Sequence, residues 1–150
     1  MNVFPNTRLI DLNDSSFILD DLIQKDKLNL VLFYNTNCLG CTGRAIPFAY
    51  NLSKEYNFIN LIVIHSNFRN QPFVKEEILS VFTDQKSPIV IYREEFNELY
   101  SYFDCDGTPH WFVIDAEKNI THSIFGSMDG SQMKLNYAIL EFKENQLSKI

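Results

Sequence analysis

A predicted strand that runs directly into two cysteines constrains this chain more than any other feature. Residues 30–34 (LVLFY) are apolar, β-branched or aromatic, which predicts a buried strand. The chain then turns through polar residues and reaches Cys38 and Cys41, in a Cys-x-x-Cys spacing, at the start of a predicted helix. A Cys-x-x-Cys pair between a strand and a helix is typical of a redox site.

The spacing of the two cysteines suits thiol–disulfide exchange. Cysteines at this separation on a helix start can close a small disulfide ring with little backbone movement. The unpaired N–H groups and the positive dipole of the helix N-terminus favour a thiolate at Cys38, and the thiolate is the nucleophile in exchange. We therefore expect Cys38 to attack a substrate disulfide and Cys41 to displace the product.

Several segments together resemble the thioredoxin superfamily, and within it the TlpA-like or redoxin-like thiol–disulfide oxidoreductases. They are residues 29–35 (NLVLFYN), the Cys38–Cys41 pair, Pro47 in the following helix, and Gly107-Thr108-Pro109 before HWFVID. The resemblance extends from about Thr7 to about Phe142. It implies an α/β, thioredoxin-like fold whose mixed central β-sheet carries helices on both faces.

The resemblance also implies a substrate site. In this superfamily the bond between Thr108 and Pro109 would be cis, and its loop would face the cysteines. The Thr108 backbone would then lie beside Cys38, where an extended substrate segment could pair with it as an added strand. Thr108 and Pro109 are therefore the expected substrate-binding residues. The same loop would keep metal ions from the cysteines, and neither a metal nor a cofactor is expected.

The sequence departs from the family pattern close to the cysteines. Asn37 stands where the family often has an aromatic residue, and Gly40 stands where proline is common. Six positions separate Cys41 from Pro47, one more than usual, so a distorted helix start is expected. Leu32 occupies the position of the buried acid of thioredoxins. These changes leave the redox potential and the route of proton transfer open.

Three residues are candidates for a supporting role. Arg44, near where TlpA-like reductases carry Glu, could stabilise a thiolate or lie solvated on the helix surface. His110 could shuttle a proton near neutral pH, unless strand alternation turns it away from the cysteines. Cys105 could be a third redox thiol, a modification site or a metal ligand, although a half-buried small residue is the simpler interpretation. His65, at the end of INLIVIH, is interpreted as a loop anchor.

Alternating patterns along the chain predict the order (β)α-β-α-β-α-β-α-β-β-α. The predicted strands are residues 7–12, 28–35, 59–65, 88–92, 111–115 and 119–125, and the predicted helices are 17–25, 41–56, 73–82, 94–103 and 132–146. Strand–helix alternation favours parallel pairing with right-handed crossovers, and the last two strands form an antiparallel hairpin. The strand and helix within 59–82 correspond to the TlpA-type strand–helix insertion.

Composition narrows the class of protein. A chain of 150 residues suits a single domain with a real core. The net charge of -6 without a basic stripe gives nucleic-acid binding no support. No apolar run is long enough to cross a membrane. The first residues lack the basic start and apolar core of a signal peptide, which favours the cytoplasm, although a removed leader would leave a periplasmic protein looking the same.

Several functions stay open at this stage. The leading one is a thiol–disulfide oxidoreductase whose partners are a disulfide-containing protein substrate and a reductant protein or low-molecular-weight thiol. The second is a peroxide-reducing redoxin, in which a second cysteine resolves a sulfenic acid. Thr36 and Arg44 fit it, but the proline usually found upstream is missing. The third is a redox-silent binding module. A zinc site would need two ligands beyond the Cys-x-x-Cys pair.

Overall fold

The computed structural model describes residues 3–66, 74–94, 99 and 107–148. Within these ranges the strands are β1 (Arg8–Asp11), β2 (Ser16–Ile18), β3 (Leu28–Tyr34), β4 (Ile59–His65), β5 (Ile91–Glu94), β6 (His110–Ile114) and β7 (Ile120–Phe125). The helical segments are α1 (Leu19–Leu22), a π-helical turn (Cys41–Ala45), α2 (Ile46–Glu55), α3 (Lys75–Leu79), a 3₁₀ turn (Thr83–Gln85) and α4 (Asp129–Ser148).

The strands form a mixed sheet in the order β2-β1-β5-β4-β3-β6-β7. The pairs β3–β4 and β4–β5 are parallel. The pairs β1–β2, β1–β5, β3–β6 and β6–β7 are antiparallel. Every residue of β3 is buried, as expected of a central strand covered on both faces. The predicted mixed central sheet and its closing hairpin are therefore confirmed.

Alternation along β3 divides the core into two layers, because successive side chains of a strand point to opposite faces. Leu30, Leu32 and Tyr34 pack with Cys41 and with apolar residues of α2, α3 and α4 on one face. Val31 and Phe33 pack on the other face against a cluster that includes Phe4, Leu19, Leu99 and Phe112. The cysteine pair therefore belongs to the layer beneath α2 and α4.

The first predicted helix, residues 17–25, is helical only at Leu19–Leu22, so the prediction is wrong at both ends. Ser16–Ile18 forms β2 instead and pairs with β1, so β1 is an internal strand rather than an edge strand. The cause is a local side-chain bond that helical periodicity does not reveal. The Asp11 carboxylate accepts hydrogen bonds from the N–H groups of Asn13 (2.8 Å) and Ser15 (2.9 Å), which closes the hairpin turn.

Other boundaries also differ from prediction. The strand predicted at residues 88–92 begins only at Ile91, because the Ser87 hydroxyl bonds the backbone N–H and carbonyl of Ile89 and holds a turn there. The helix predicted at 73–82 spans Lys75–Leu79 in the described part of the chain. The predicted helix at 94–103 lies outside the described residues, apart from Glu94, which ends β5, and the helical residue at position 99.

Candidate functional site

The turn that presents the first cysteine is built around Asn35, the residue after β3. Asn35 is almost fully buried, and its amide donates to the Ser66 carbonyl at 2.8 Å. Its side-chain oxygen accepts from the N–H of Asn37 at 2.8 Å, and its carbonyl accepts from the N–H of Cys38 at 3.0 Å. The sequence predicts a turn through Asn35, because an asparagine directly after an apolar strand is a turn signal, but it does not predict the buried hydrogen bonds of this residue.

The two cysteines lie side by side as free thiols but differ in exposure. Cys38 is half-buried, whereas Cys41 is fully buried. The backbone N–H of Cys41 donates to the Cys38 sulfur at 3.2 Å. An N–H donor aimed at a sulfur stabilises negative charge there, because hydrogen bonds to ionised acceptors are stronger than those to neutral ones. The site therefore combines a solvent-accessible sulfur at Cys38 with a buried sulfur at Cys41.

The environment of Cys41 keeps its thiol protonated at neutral pH. Burial raises the pKa of Cys41 to about 12, and a hydrogen bond with Cys38 adds to the effect. Contacts with Thr108 and with the backbone of Asn35 act in the opposite direction. Cys41 can therefore act as a nucleophile only after its proton has been removed within the site.

The helix that carries the cysteines begins irregularly, as its spacing predicts. Residues Cys41–Ala45 form a π-helical turn, in which the N–H of Ile46 bonds the carbonyl of Cys41 five residues earlier. A π turn accommodates one extra residue within a helix, and such turns are frequent at functional sites. Pro47 follows as the second residue of α2, where its missing N–H costs little.

The loop before β6 lies against the cysteines. The peptide bond between Thr108 and Pro109 is cis, and the Thr108 carbonyl lies 3.4 Å from the Cys38 sulfur. A β-carbon on Gly40 would lie 3.9 Å from Pro109 Cδ and 3.0 Å from the Ser127 hydroxyl. Glycine between the cysteines therefore lets this loop and Ser127, two residues before α4, approach closely.

The structure describes two of the three supporting candidates, Arg44 and His110. Arg44 is exposed, and in the described part of the chain no hydrogen bond or ion pair joins it to either cysteine. His110 stacks on Phe112 at 4.6 Å and bonds the Ser123 hydroxyl at 2.8 Å. Phe112 belongs to the core layer opposite Cys41, so strand alternation turns His110 away. Cys105 lies outside the described residues.

The prediction that His65 anchors a loop is confirmed. His65 is fully buried at the end of β4, and its Nε2 accepts a hydrogen bond from the N–H of Thr36 at 3.1 Å. The Thr36 hydroxyl lies 3.0 Å from the same nitrogen. The Tyr34 ring packs edge-on against the imidazole at 5.0 Å. These contacts hold the start of the cysteine turn against β4.

Across residues 3–66, 74–94, 99 and 107–148, no group of three or more His, Cys, Asp or Glu side chains is placed to hold a metal ion. Within the same ranges no helix combines the length and the apolar character needed to cross a membrane.

Solved structures provide the comparison with known proteins, since no family model and no curated protein sequence matches the chain. A protein described as a thiol:disulfide interchange protein DsbE from Chlorobium tepidum superposes with a TM-score of 0.76 at 12% identity, covering 94% of this chain and 95% of that one. The thioredoxin domain of a Bacteroides vulgatus thiol-disulfide oxidoreductase gives 0.66 at 21% identity, with 91% and 94% covered.

A thiol-disulfide isomerase from Corynebacterium glutamicum gives a TM-score of 0.70 at 20% identity, with 93% of this chain and 95% of that one covered. The chain has a thioredoxin-like fold. The predicted fold class is therefore confirmed over most of the chain. At such low identities the likeness establishes the fold, and the activity must be argued from the geometry of the thioredoxin-like site itself.

Proposed function

We propose that this protein is a thiol–disulfide oxidoreductase that reduces or exchanges disulfides in protein substrates. The observation that carries the proposal is the asymmetry of the cysteine pair. Cys38 is reachable and receives an N–H donor on its sulfur at 3.2 Å, whereas Cys41 is fully buried beside it. Exchange requires this asymmetry, because one sulfur must be accessible to attack the substrate disulfide and the other must stay reduced until it resolves the mixed disulfide.

The reaction proceeds in two exchanges. The Cys38 thiolate attacks one sulfur of the substrate disulfide, a bond forms between Cys38 and that sulfur, and the other substrate sulfur leaves as a thiolate that takes up a proton. Cys41 then loses its proton and attacks the Cys38 sulfur. The bond from Cys38 to the substrate breaks, and the second substrate thiol is released. Two electrons pass to the substrate, and the protein is left with a Cys38–Cys41 disulfide.

The loop at Thr108 and Pro109 supplies the proposed substrate contact. Its backbone lies beside the Cys38 sulfur, at 3.4 Å from the Thr108 carbonyl. An extended substrate segment could pair with this backbone as an added strand, which needs no particular side chain and suits varied protein substrates. Leu39 projects from the turn with 87% of its surface exposed and offers an apolar contact to such a segment. A reductant protein or a small thiol would restore the dithiol.

Insulin reduction by dithiothreitol tests the proposal, with Cys105→Ser as the parent variant so that only the paired cysteines can react. The parent should accelerate insulin precipitation, and adding Cys38→Ser should return the rate to that of dithiothreitol alone. Adding Cys41→Ser should instead trap a mixed disulfide with the substrate, visible by mass spectrometry. Full activity in the Cys38→Ser variant would refute the proposal.

A redox titration against glutathione or dithiothreitol then sets the direction of electron flow. We expect a reversible Cys38–Cys41 disulfide, detected by the loss of two alkylatable thiols. Whether the protein acts as a reductant or an oxidant depends on the measured potential relative to that of its compartment. If no reversible disulfide forms at any ratio of oxidised to reduced thiol, the redox-silent binding module becomes the better interpretation.

A further inference from the structure

Tyr34 is a buried polar side chain that the two exchange steps leave without a role. It ends β3, is fully buried, and lies in the same core layer as Cys41. Among the described residues its hydroxyl has no hydrogen-bond partner. Buried hydroxyl groups are nearly always hydrogen-bonded, and leaving one unpaired costs stability, so such a group calls for an explanation.

The neighbours of Tyr34 orient its ring without satisfying its hydroxyl. Tyr34 and His65 are register partners on the parallel strands β3 and β4, and their rings pack edge-on at 5.0 Å. Thr36 is the nearby hydroxyl, but it lies 3.0 Å from His65 Nε2. The same nitrogen accepts the N–H of Thr36, so it presents a lone pair toward that residue. The Thr36 hydroxyl influences the pKa of Tyr34, but no hydrogen bond of ordinary length joins the two residues, so the Tyr34 O–H remains free to donate elsewhere.

Cys41 is the group nearby that needs a donor during catalysis. Its sulfur must become a thiolate in a buried position, where negative charge is strongly disfavoured. The contacts with Thr108 and with the Asn35 backbone favour this thiolate, yet the pKa of Cys41 stays raised to about 12, so a further donor would help. Leu32, two residues earlier on the same face of β3, offers no polar group. Burial raises the pKa of Tyr34, and a charge on Cys41 raises it further, although the Thr36 hydroxyl partly offsets this. Tyr34 therefore keeps its proton while the Cys41 sulfur ionises.

We propose that the Tyr34 hydroxyl donates a hydrogen bond to the Cys41 thiolate while that sulfur displaces the substrate from Cys38. The inference rests on the proposed oxidoreductase function. Tyr34 transfers no proton in this step. Cys41 first gives its proton to water or to the substrate thiolate released in the first exchange. Its electron pair then forms the bond to the Cys38 sulfur, and the pair from the broken bond leaves with the second substrate sulfur, which takes up a proton. Tyr34 stabilises the charge on Cys41 in between.

Reaction with 5,5′-dithiobis(2-nitrobenzoate) separates the two exchanges. In the reduced Cys105→Ser parent, attack by Cys38 releases one coloured thiolate, and resolution by Cys41 releases a second. In Tyr34→Phe the first phase should change less than twofold. The second phase should slow about 10- to 100-fold, the range expected on losing a hydrogen bond to a charged group. Its pH profile should also shift to higher pH, which a purely structural role would not produce.

Two further measurements, the stability of Tyr34→Phe and the kinetics of a control variant, distinguish a role in resolution from a structural role. Because the hydroxyl has no partner to lose, Tyr34→Phe should unfold at the same or a higher urea concentration than the parent. Tyr92→Phe is the matched control, since Tyr92 lies in the opposite core layer, and it should leave both phases unchanged. An unaltered second phase in Tyr34→Phe would overturn the inference and leave the proposed function standing. Absence of a second coloured thiolate in the parent would overturn both.

Discussion

Replacing Cys41 by alanine should remove a loss of stability that the reduced protein suffers above pH 8. Burial raises the pKa of this thiol from its ordinary 9.0 to about 12. The folded state therefore keeps a proton that the unfolded state loses as the pH rises. The unfolded state then binds fewer protons, so stability falls with increasing pH through this window. Below pH 8 both states hold the proton, and the contribution to stability is fully present.

The size of the effect follows from the two pKa values of Cys41. The free energy of unfolding should fall by a few tenths of a kcal/mol at pH 9 and by roughly 1 kcal/mol at pH 10, relative to pH 7.

Urea unfolding of the fully reduced Cys105→Ser parent and of the same protein with Cys41→Ala measures the effect at pH 7, 8, 9 and 10. Lysine and tyrosine titrations are common to both proteins and cancel in the difference between them. Loss of the buried sulfur lowers the free energy of unfolding of Cys41→Ala by the same amount at every pH. The free energy of unfolding of the parent should therefore approach that of Cys41→Ala as the pH rises. Two parallel curves would show that the thiol is not desolvated and would refute the reasoning.

The remaining predictions concern stability away from the sulfurs. Gly43→Ala should stabilise the protein by about 0.5–1 kcal/mol, because the added β-carbon meets nothing within 4 Å. Gly126→Ala should destabilise it by at least about 1 kcal/mol, because this glycine has φ of +102° and the Ser131 hydroxyl lies 3.0 Å from the added carbon. The urea midpoint should therefore rise for Gly43→Ala and fall for Gly126→Ala, and a shift of the opposite sign in either variant would contradict the prediction for that glycine. Asn29→Leu should cost about 2–4 kcal/mol, because the buried amide bonds the N–H and carbonyl of Gln24. At urea concentrations too low to unfold it, Asn29→Leu should reduce insulin at the parent's rate. A folded Asn29→Leu variant with a reduced rate would show that Asn29 does more than stabilise the fold.

Short stretches of sequence predicted the secondary structure correctly where residues within the same segment determine it. The apolar runs predicted β3 and β4, and the six-residue step from Cys41 to Pro47 predicted the irregular helix start that the structure shows as a π turn. The prediction failed where a single side chain redirects the backbone. The Asp11 carboxylate closes a hairpin inside a segment with helical periodicity, and the Ser87 hydroxyl delays the start of β5.

The sequence by itself determined the two thiols, their spacing and the strand that leads to them, since these depend on residues adjacent in the chain. Only the tertiary structure decided which sulfur is exposed and which is buried. It also decided that Thr108 meets Cys38 from 70 residues away and that the Tyr34 hydroxyl is buried in the layer of Cys41. Burial and long-range contact arise when distant segments pack together, and no short window of sequence contains both partners.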